Sequence, residues 1–111
     1  MSNYLKEQFG LSGKTAVVIG ATGELGGAIA EGLCRAGADT VLVGRNEAVG
    51  RKRAAAFGDL PEAGEACFVP CDTTSQQALE RLVEAVDDRF GRIDVLVNGA
   101  GVNAATPFLE I

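Results

Sequence analysis

Histidine is absent from this sequence, tyrosine occurs once, at Tyr4, and lysine only at Lys6, Lys14 and Lys52. Without histidine, and with Cys34, Cys67 and Cys71 forming no Cys-x-x-Cys pair, there is no recognisable zinc ligand set. An odd, unpaired set of thiols suits a reducing compartment. Basic residues are also short, 10 Lys and Arg against 15 Asp and Glu, for a formal net charge of −5. That balance argues against nucleic acid or an anionic membrane surface as partner. No stretch reaches the roughly 20 apolar residues of a membrane span. The opening MSNYLKEQFG has no apolar core, so no secretory signal is expected and the expected location is the cytoplasm. Internal repeats and low-complexity tracts are missing too. What remains is an ordinary globular balance, 47% hydrophobic and 23% charged over 111 residues, one domain in size.

Periodicity divides the chain into alternating elements. Residues 1–13 form a polar lead-in with room for one helical turn. KTAVVIG (14–20) is a strand of β-formers ending in glycine. From Glu24 the period becomes helical, with Leu25, Ile29, Leu33 and Ala36 on one face and Gly37 as the terminating glycine. DTVLVG (39–44) is a second strand, 46–58 a weakly amphipathic helix, and LPEAGE (60–65) a turn. ACFVPC (66–71) is a third strand. Thr74 and Gln77 form a capping box for a helix carrying Leu79, Leu82, Val83, Val86 and Phe90, which ends at Gly91. IDVLVNG (93–99) is a fourth strand, and 100–111 is loop-like. This β-α-β-α-β-α-β order predicts a Rossmann-type α/β fold, a parallel sheet with helices on both faces. Strands 1 and 4 are continuously apolar, as strands covered on both faces are.

Between the first strand and its helix lies GATGELGG (20–27). A helix N-terminus presents unpaired N–H groups and the positive end of its dipole, and an anion docks there if no side chain intervenes. Gly20 allows the tight turn, Gly23 lets backbone approach a diphosphate, and Gly26 and Gly27 let the helix lie close to the sheet. No Gly-Lys-Ser/Thr follows, which excludes a P-loop. The plainer alternative is a tight turn that binds nothing. At the end of the second strand, where an acidic residue would bind the ribose hydroxyls of NAD, stand Gly44, Arg45 and Asn46. A guanidinium at that place suits a 2′-phosphate, so NADP is the favoured cofactor and NAD the alternative. Arg45 as a simple surface turn residue is the competing reading.

FGRIDVLVNGAG (90–101) resembles the FGxIDxLVNNAG strand of the short-chain dehydrogenase/reductase family. The glycine loop, GRN after strand 2 and CDTTS after strand 3 extend the likeness over nearly the whole chain. The resemblance implies an NAD(P)-binding Rossmann domain from residue 14 to 111. It implies that Gly20, Gly23 and Gly26, with the backbone at Leu25, line the diphosphate. Thr22 and Arg45, with Asn46 next to it, would lie near the adenosine 2′-phosphate. Asp72 would bond the adenine amino group with Thr73 beside it, and Asn98 and Ala100 would flank the ribose. Two positions depart from the pattern. Glu24 stands where the larger subgroup has its middle glycine, the loop GATGELG being similar instead to the GxxGxxG of the extended subgroup, and its carboxylate would repel the diphosphate unless it points to solvent. Gly99 replaces the second Asn of NNAG, which opens room at the strand end.

The family's catalytic Tyr, the Lys four residues after it, the Ser and the further Asn all lie downstream of that strand. No Tyr-x-x-x-Lys occurs here, so no catalytic residue is assigned and the chain alone is expected to be inactive. The sheet is expected to be incomplete, with strands 1–4 only, as the N-terminal part of a longer enzyme. That parent would transfer hydride between NADP and a small alcohol or carbonyl compound. It would be a homo-oligomer, as the resemblance implies, through later helices. The alternatives are a non-enzymatic dinucleotide-binding module and a bare α/β domain that binds another ligand, such as a methyl donor.

Overall fold

The computed structural model describes residues 3–99. Helix α1 (Asn3–Phe9) occupies the lead-in. Strand β1 (Thr15–Ile19) follows, and all its residues are buried because it runs through the interior of the sheet. Then come helix α2 (Glu24–Arg35), β2 (Asp39–Gly44), α3 (Glu47–Gly58), β3 (Ala66–Pro70), α4 (Gln76–Phe90) and β4 (Val95–Asn98). The strands are parallel in the order β3-β2-β1-β4.

This order decides where the helices go. From β1 to β2 to β3 the chain steps in one direction, and for β4 it returns past β1 to the other edge. Crossovers of one hand put their helices on opposite faces when the direction reverses. Accordingly α2 and α3 bury Ala30, Cys34, Ala54 and Phe57 against Val18, Leu42 and Phe68 on one face. Leu82 and Val86 of α4 pack on Val17, Ile19, Val41 and Val43 on the other. Alternate residues of β1 and β2 thus feed separate cores, the two-residue period of a strand covered on both sides.

Three expectations from the sequence are corrected. The buried face of α2 is not the Leu25–Ile29–Leu33–Ala36 stripe. It consists of Gly26, Gly27, Ala30 and Cys34, while Leu25 is 74% exposed. The helix sits so close to the loop before it that a Cβ at Gly26 would overlap the Gly20 carbonyl. Close approach selects the smallest residues, which a hydrophobicity pattern does not register. The cap of α4 is Ser75, whose hydroxyl accepts from the Ala78 N–H, rather than Thr74 with Gln77. Thr74 is turned the other way, its N–H and hydroxyl both donating to Asp72 Oδ1 at 3.0 and 2.6 Å. Finally, among the described residues β4 is covered on one face only. Val95 and Val97 are half-buried and Leu96 is 63% exposed, because α4 lies over β1 and β2 and not over this edge strand.

Asp94 fixes where β4 begins. Its Oδ2 accepts from the Thr15 N–H at 2.8 Å, and its own N–H donates to the Thr15 carbonyl at 2.8 Å. Arg92 pairs with the remaining oxygen, Oδ1, at 2.6 Å. The bracket sets the register Ala16↔Val95 through Ile19↔Asn98, which brings the C-terminal ends of β1 and β4 level.

Candidate functional site

The chain leaves β1 at Gly20, whose φ of +86° is a left-handed conformation that glycine adopts freely. The N–H groups of Gly20 and Ala21 both donate to the Val43 carbonyl, at 2.9 and 3.1 Å, and tie the turn to β2. Gly23 is the N-cap of α2, in extended conformation and without a side-chain cap. By contrast, α3 is capped by the Asn46 side chain and α4 by Ser75. The first-turn N–H groups of α2 are therefore left to whatever occupies the space in front of them.

That space is a cleft of about 480 Å3 at the C-terminal ends of the strands. Ile19, Gly20, Thr22 and Gly23 line it from the first turn, Gly44 and Arg45 from β2, Cys71, Thr73 and Thr74 from beyond β3, and Gly99 from β4. It lies beside β1, where the strand order reverses, which is where open parallel α/β sheets bind their ligands.

The glycines here have separable reasons. Gly26 and Gly20 are required by packing and by φ respectively. Gly23 is required by neither: its φ of −83° suits any residue, and a Cβ would lie 3.4 Å from its nearest neighbour, the Gly20 carbonyl oxygen. Gly23 lines the cleft, where its missing side chain leaves backbone exposed. At Gly44 a Cβ would stand 2.8 Å from the Thr22 side chain, which would have to shift to admit it. With Gly44 bare, the first side chain past β2 is Arg45. At Gly99, which lines the cleft, a Cβ would stand 3.0 Å from the Ile19 carbonyl oxygen, so the glycine also eases the approach to β1.

Arg45 and Asp72 were expected to meet different parts of a ligand, and here they meet each other. Arg45 Nη2 lies 3.0 Å from Asp72 Oδ1. Strands β2 and β3 are in register through Gly44↔Pro70, so residues just past their ends become neighbours. The Asp72 carboxyl is held below the usual carboxylate range, first by the Thr74 hydroxyl and N–H and then by Arg45. All three partners use Oδ1. Burial pushes the Cys71 thiol up, with Asp72 adding to the effect, which is the wrong direction for a nucleophile.

Of the candidate residues, Gly20, Thr22, Gly23, Arg45 and Thr73 line the cleft. Gly26 lies beneath it, and the Leu25 side chain points to solvent, as does exposed Glu24. Asn46 is committed to the Val49 N–H as the α3 cap. Asp72 flanks the cleft through its contacts with Arg45 and Thr74. Asn98 is exposed at the end of β4 beside Ile19. Ala100, with the rest of 100–111, lies outside the described residues. The exposed Tyr4, on α1, is not among the lining residues, and no metal-holding cluster of His, Cys, Asp or Glu occurs among the described residues.

One residue of the site had no signal in the sequence. Arg53 reaches from α3 to the glycine loop, its Nη1 donating to the carbonyls of Ala21 at 2.7 Å and Gly23 at 2.6 Å. Nothing in local spacing connects residues more than two dozen positions apart.

A cleft at the switch point of a parallel sheet, floored by a glycine turn and an uncapped helix, lies where open α/β folds bind their nucleotides. Comparison with known proteins narrows the class. The family model described as short chain dehydrogenase matches residues 14–111. The human 15-hydroxyprostaglandin dehydrogenase [NAD(+)] is 42% identical over 93 residues, 84% of this chain and 35% of that protein. Diacetyl reductase [(S)-acetoin forming] of Staphylococcus epidermidis is 40% identical over 98 residues, 88% of this chain and 37% of the relative. Among solved structures, L-sorbose reductase from Gluconobacter frateurii, complexed with NADPH and L-sorbose, superposes with a TM-score of 0.81 at 33% identity. That superposition covers 93% of this chain and 39% of the reductase. The chain belongs to the short-chain dehydrogenase family, and it spans well under half the length of these relatives.

Proposed function

We propose that the chain is the cofactor-binding part of an oxidoreductase that moves hydride between NADP and a small alcohol or carbonyl compound. The observation that carries this is Gly23: a residue whose missing side chain neither backbone conformation nor packing requires, at the uncapped end of α2, facing the cleft. A diphosphate would rest there on the first-turn N–H groups. Arg45, at the end of β2, would meet the adenosine 2′-phosphate once it leaves Asp72, and Thr22 stands beside it over Gly44. The relatives use both cofactors, NAD(+) for the human enzyme and NADPH for the sorbose reductase. Arg45, and the absence of an acidic side chain at position 44, favour NADP. When bound, the nicotinamide supplies the hydride acceptor or donor.

Among the described residues the cleft lining holds no tyrosine, lysine or carboxylate that would move a proton at a substrate oxygen. The part of the reaction performed by residues 3–99 is therefore binding and orientation. Free, unpaired Cys34, Cys67 and Cys71 fit a cytoplasmic setting. Titration of the 111-residue chain with NADPH and NADH by calorimetry tests the reading. NADPH binding tighter than NADH, without turnover, is expected; binding of neither overturns it.

A further inference from the structure

The carbonyls that Arg53 grips belong to two peptide units, Ala21–Thr22 and Gly23–Glu24. A trans peptide is planar with its C=O and N–H opposed, so holding the carbonyl also aims the N–H. The N–H groups thus oriented are those of Thr22 and Glu24, which face away from α3. The Gly23 carbonyl in addition accepts from the Gly27 N–H at 2.9 Å, the first bond of α2. It therefore runs along the helix axis, and the Glu24 N–H points out of the helix end into the space before it.

A second observation shows that the fold makes room for this contact. A Cβ at Gly27 would collide with the Arg53 guanidinium, so the bare Cα of Gly27 forms its slot. Among the described residues Arg53 forms no ion pair, like Arg81 and unlike arginines 35, 45, 51, 89 and 92. Its charge is left uncompensated behind the loop, half-buried, where it adds to the positive potential of the helix end.

We infer that Arg53 is a positioning residue for the dinucleotide, aiming the Thr22 and Glu24 N–H groups at the diphosphate and supplying unpaired positive charge behind them. This rests on the dinucleotide reading of the cleft. Because the diphosphate is common to both cofactors, Arg53 acts on affinity and not on the choice between them, which belongs to Arg45.

The test compares wild type, Arg53→Met and Arg53→Lys for binding of NADPH and of NADH, with melting temperatures measured in parallel. Arg53→Met is expected to weaken both ligands by the same factor, tenfold or more, leaving their ratio unchanged. Arg53→Lys keeps a charged donor and is expected to recover most of that loss, which a purely space-filling role for the side chain does not predict. It also serves as the readout if the methionine variant does not fold. Wild-type affinity in Arg53→Met, no recovery in Arg53→Lys, or a changed NADPH to NADH ratio overturns the inference while the dinucleotide reading stands. A wild-type chain that binds neither ligand overturns both.

Discussion

Gly23 and Gly26 lie one helical turn apart, yet an added methyl group should have opposite consequences at the two. At Gly26 the new Cβ would overlap the Gly20 carbonyl, and it would stand 3.2 Å from the Ala21 nitrogen. These are backbone atoms of a turn pinned to β2, so no rotamer change relieves the clash. Overpacking of this kind costs about 3 kcal/mol, from which about 1 kcal/mol of helix propensity gained on replacing glycine is subtracted. The remaining loss of about 2 kcal/mol corresponds to a melting temperature lower by about 8–16 °C in a domain of this size. At Gly23 the new Cβ meets only one atom, at an ordinary distance, and the backbone is already in a region alanine prefers. Losing glycine at an N-cap costs about 0.5 kcal/mol, and the stiffer unfolded chain returns a similar amount. The melting temperature of Gly23→Ala should therefore stay within about 4 °C of wild type. Binding should not survive as well. On the proposed reading the methyl group would stand between the diphosphate and the helix end, and each charge-assisted hydrogen bond lost costs about 1.5–3 kcal/mol, roughly ten- to a hundredfold in affinity. Far-UV circular dichroism reads the first effect, and calorimetric titration with NADPH reads the second, since the chain has no tryptophan to report either by fluorescence. A Gly23→Ala protein that binds NADPH like wild type, or melts as early as Gly26→Ala, would refute the division of roles.

Replacing Arg45 with Asp exchanges an attraction to the 2′-phosphate for a repulsion, each about 1 kcal/mol at an exposed site, so the NADPH to NADH affinity ratio should fall about 30-fold; an unmoved ratio assigns the 2′-phosphate elsewhere. Ser75→Ala should destabilise by about 1 kcal/mol through the lost α4 cap, whereas Gln77→Ala should be nearly neutral in urea unfolding. A loss in Gln77→Ala with none in Ser75→Ala would restore the capping box. The Asp94 carboxyl is held low by Arg92 first and by the Thr15 N–H second, so its contribution to stability is complete above the unfolded carboxylate range, near pH 4. That contribution is lost as pH falls through the lower folded value. Melting temperatures recorded from pH 7 down to 2.5 should decline less steeply at the acid end for Asp94→Asn than for wild type, and parallel curves would dismiss the bracket as a titrating element.

Much of the fold is legible because its signals are local. TAVVI and DTVLVG are short apolar runs of β-formers, Gly37 and Gly91 mark helix ends, and Gly20 follows the first strand where a tight turn is needed. Strand–helix alternation then leaves little freedom, since crossovers of fixed hand dictate a parallel sheet with helices on both faces. The helix faces were harder. Leu25 and Ile29 carry the hydrophobicity of α2, but close approach to the sheet rewards small size, and Gly26, Gly27, Ala30 and Cys34 took the inner face.

The candidate cleft divides in the same way. Its glycine floor and Arg45 could be named from the sequence because both follow strand ends, and strand ends are where such sheets open. That Arg45 faces Asp72, that the Thr22 side chain lies against Gly44, and that Arg53 braces the loop were not legible. Each is a contact across neighbouring strands or from a helix to a loop, between residues more than 20 positions apart. The sequence by itself determined the order of elements and the bare backbone at the end of the first strand, because propensity, period and φ act over a few residues. The tertiary structure alone decided which glycines packing requires and which it leaves unconstrained, because that depends on what the fold brings within a few ångströms of each missing Cβ.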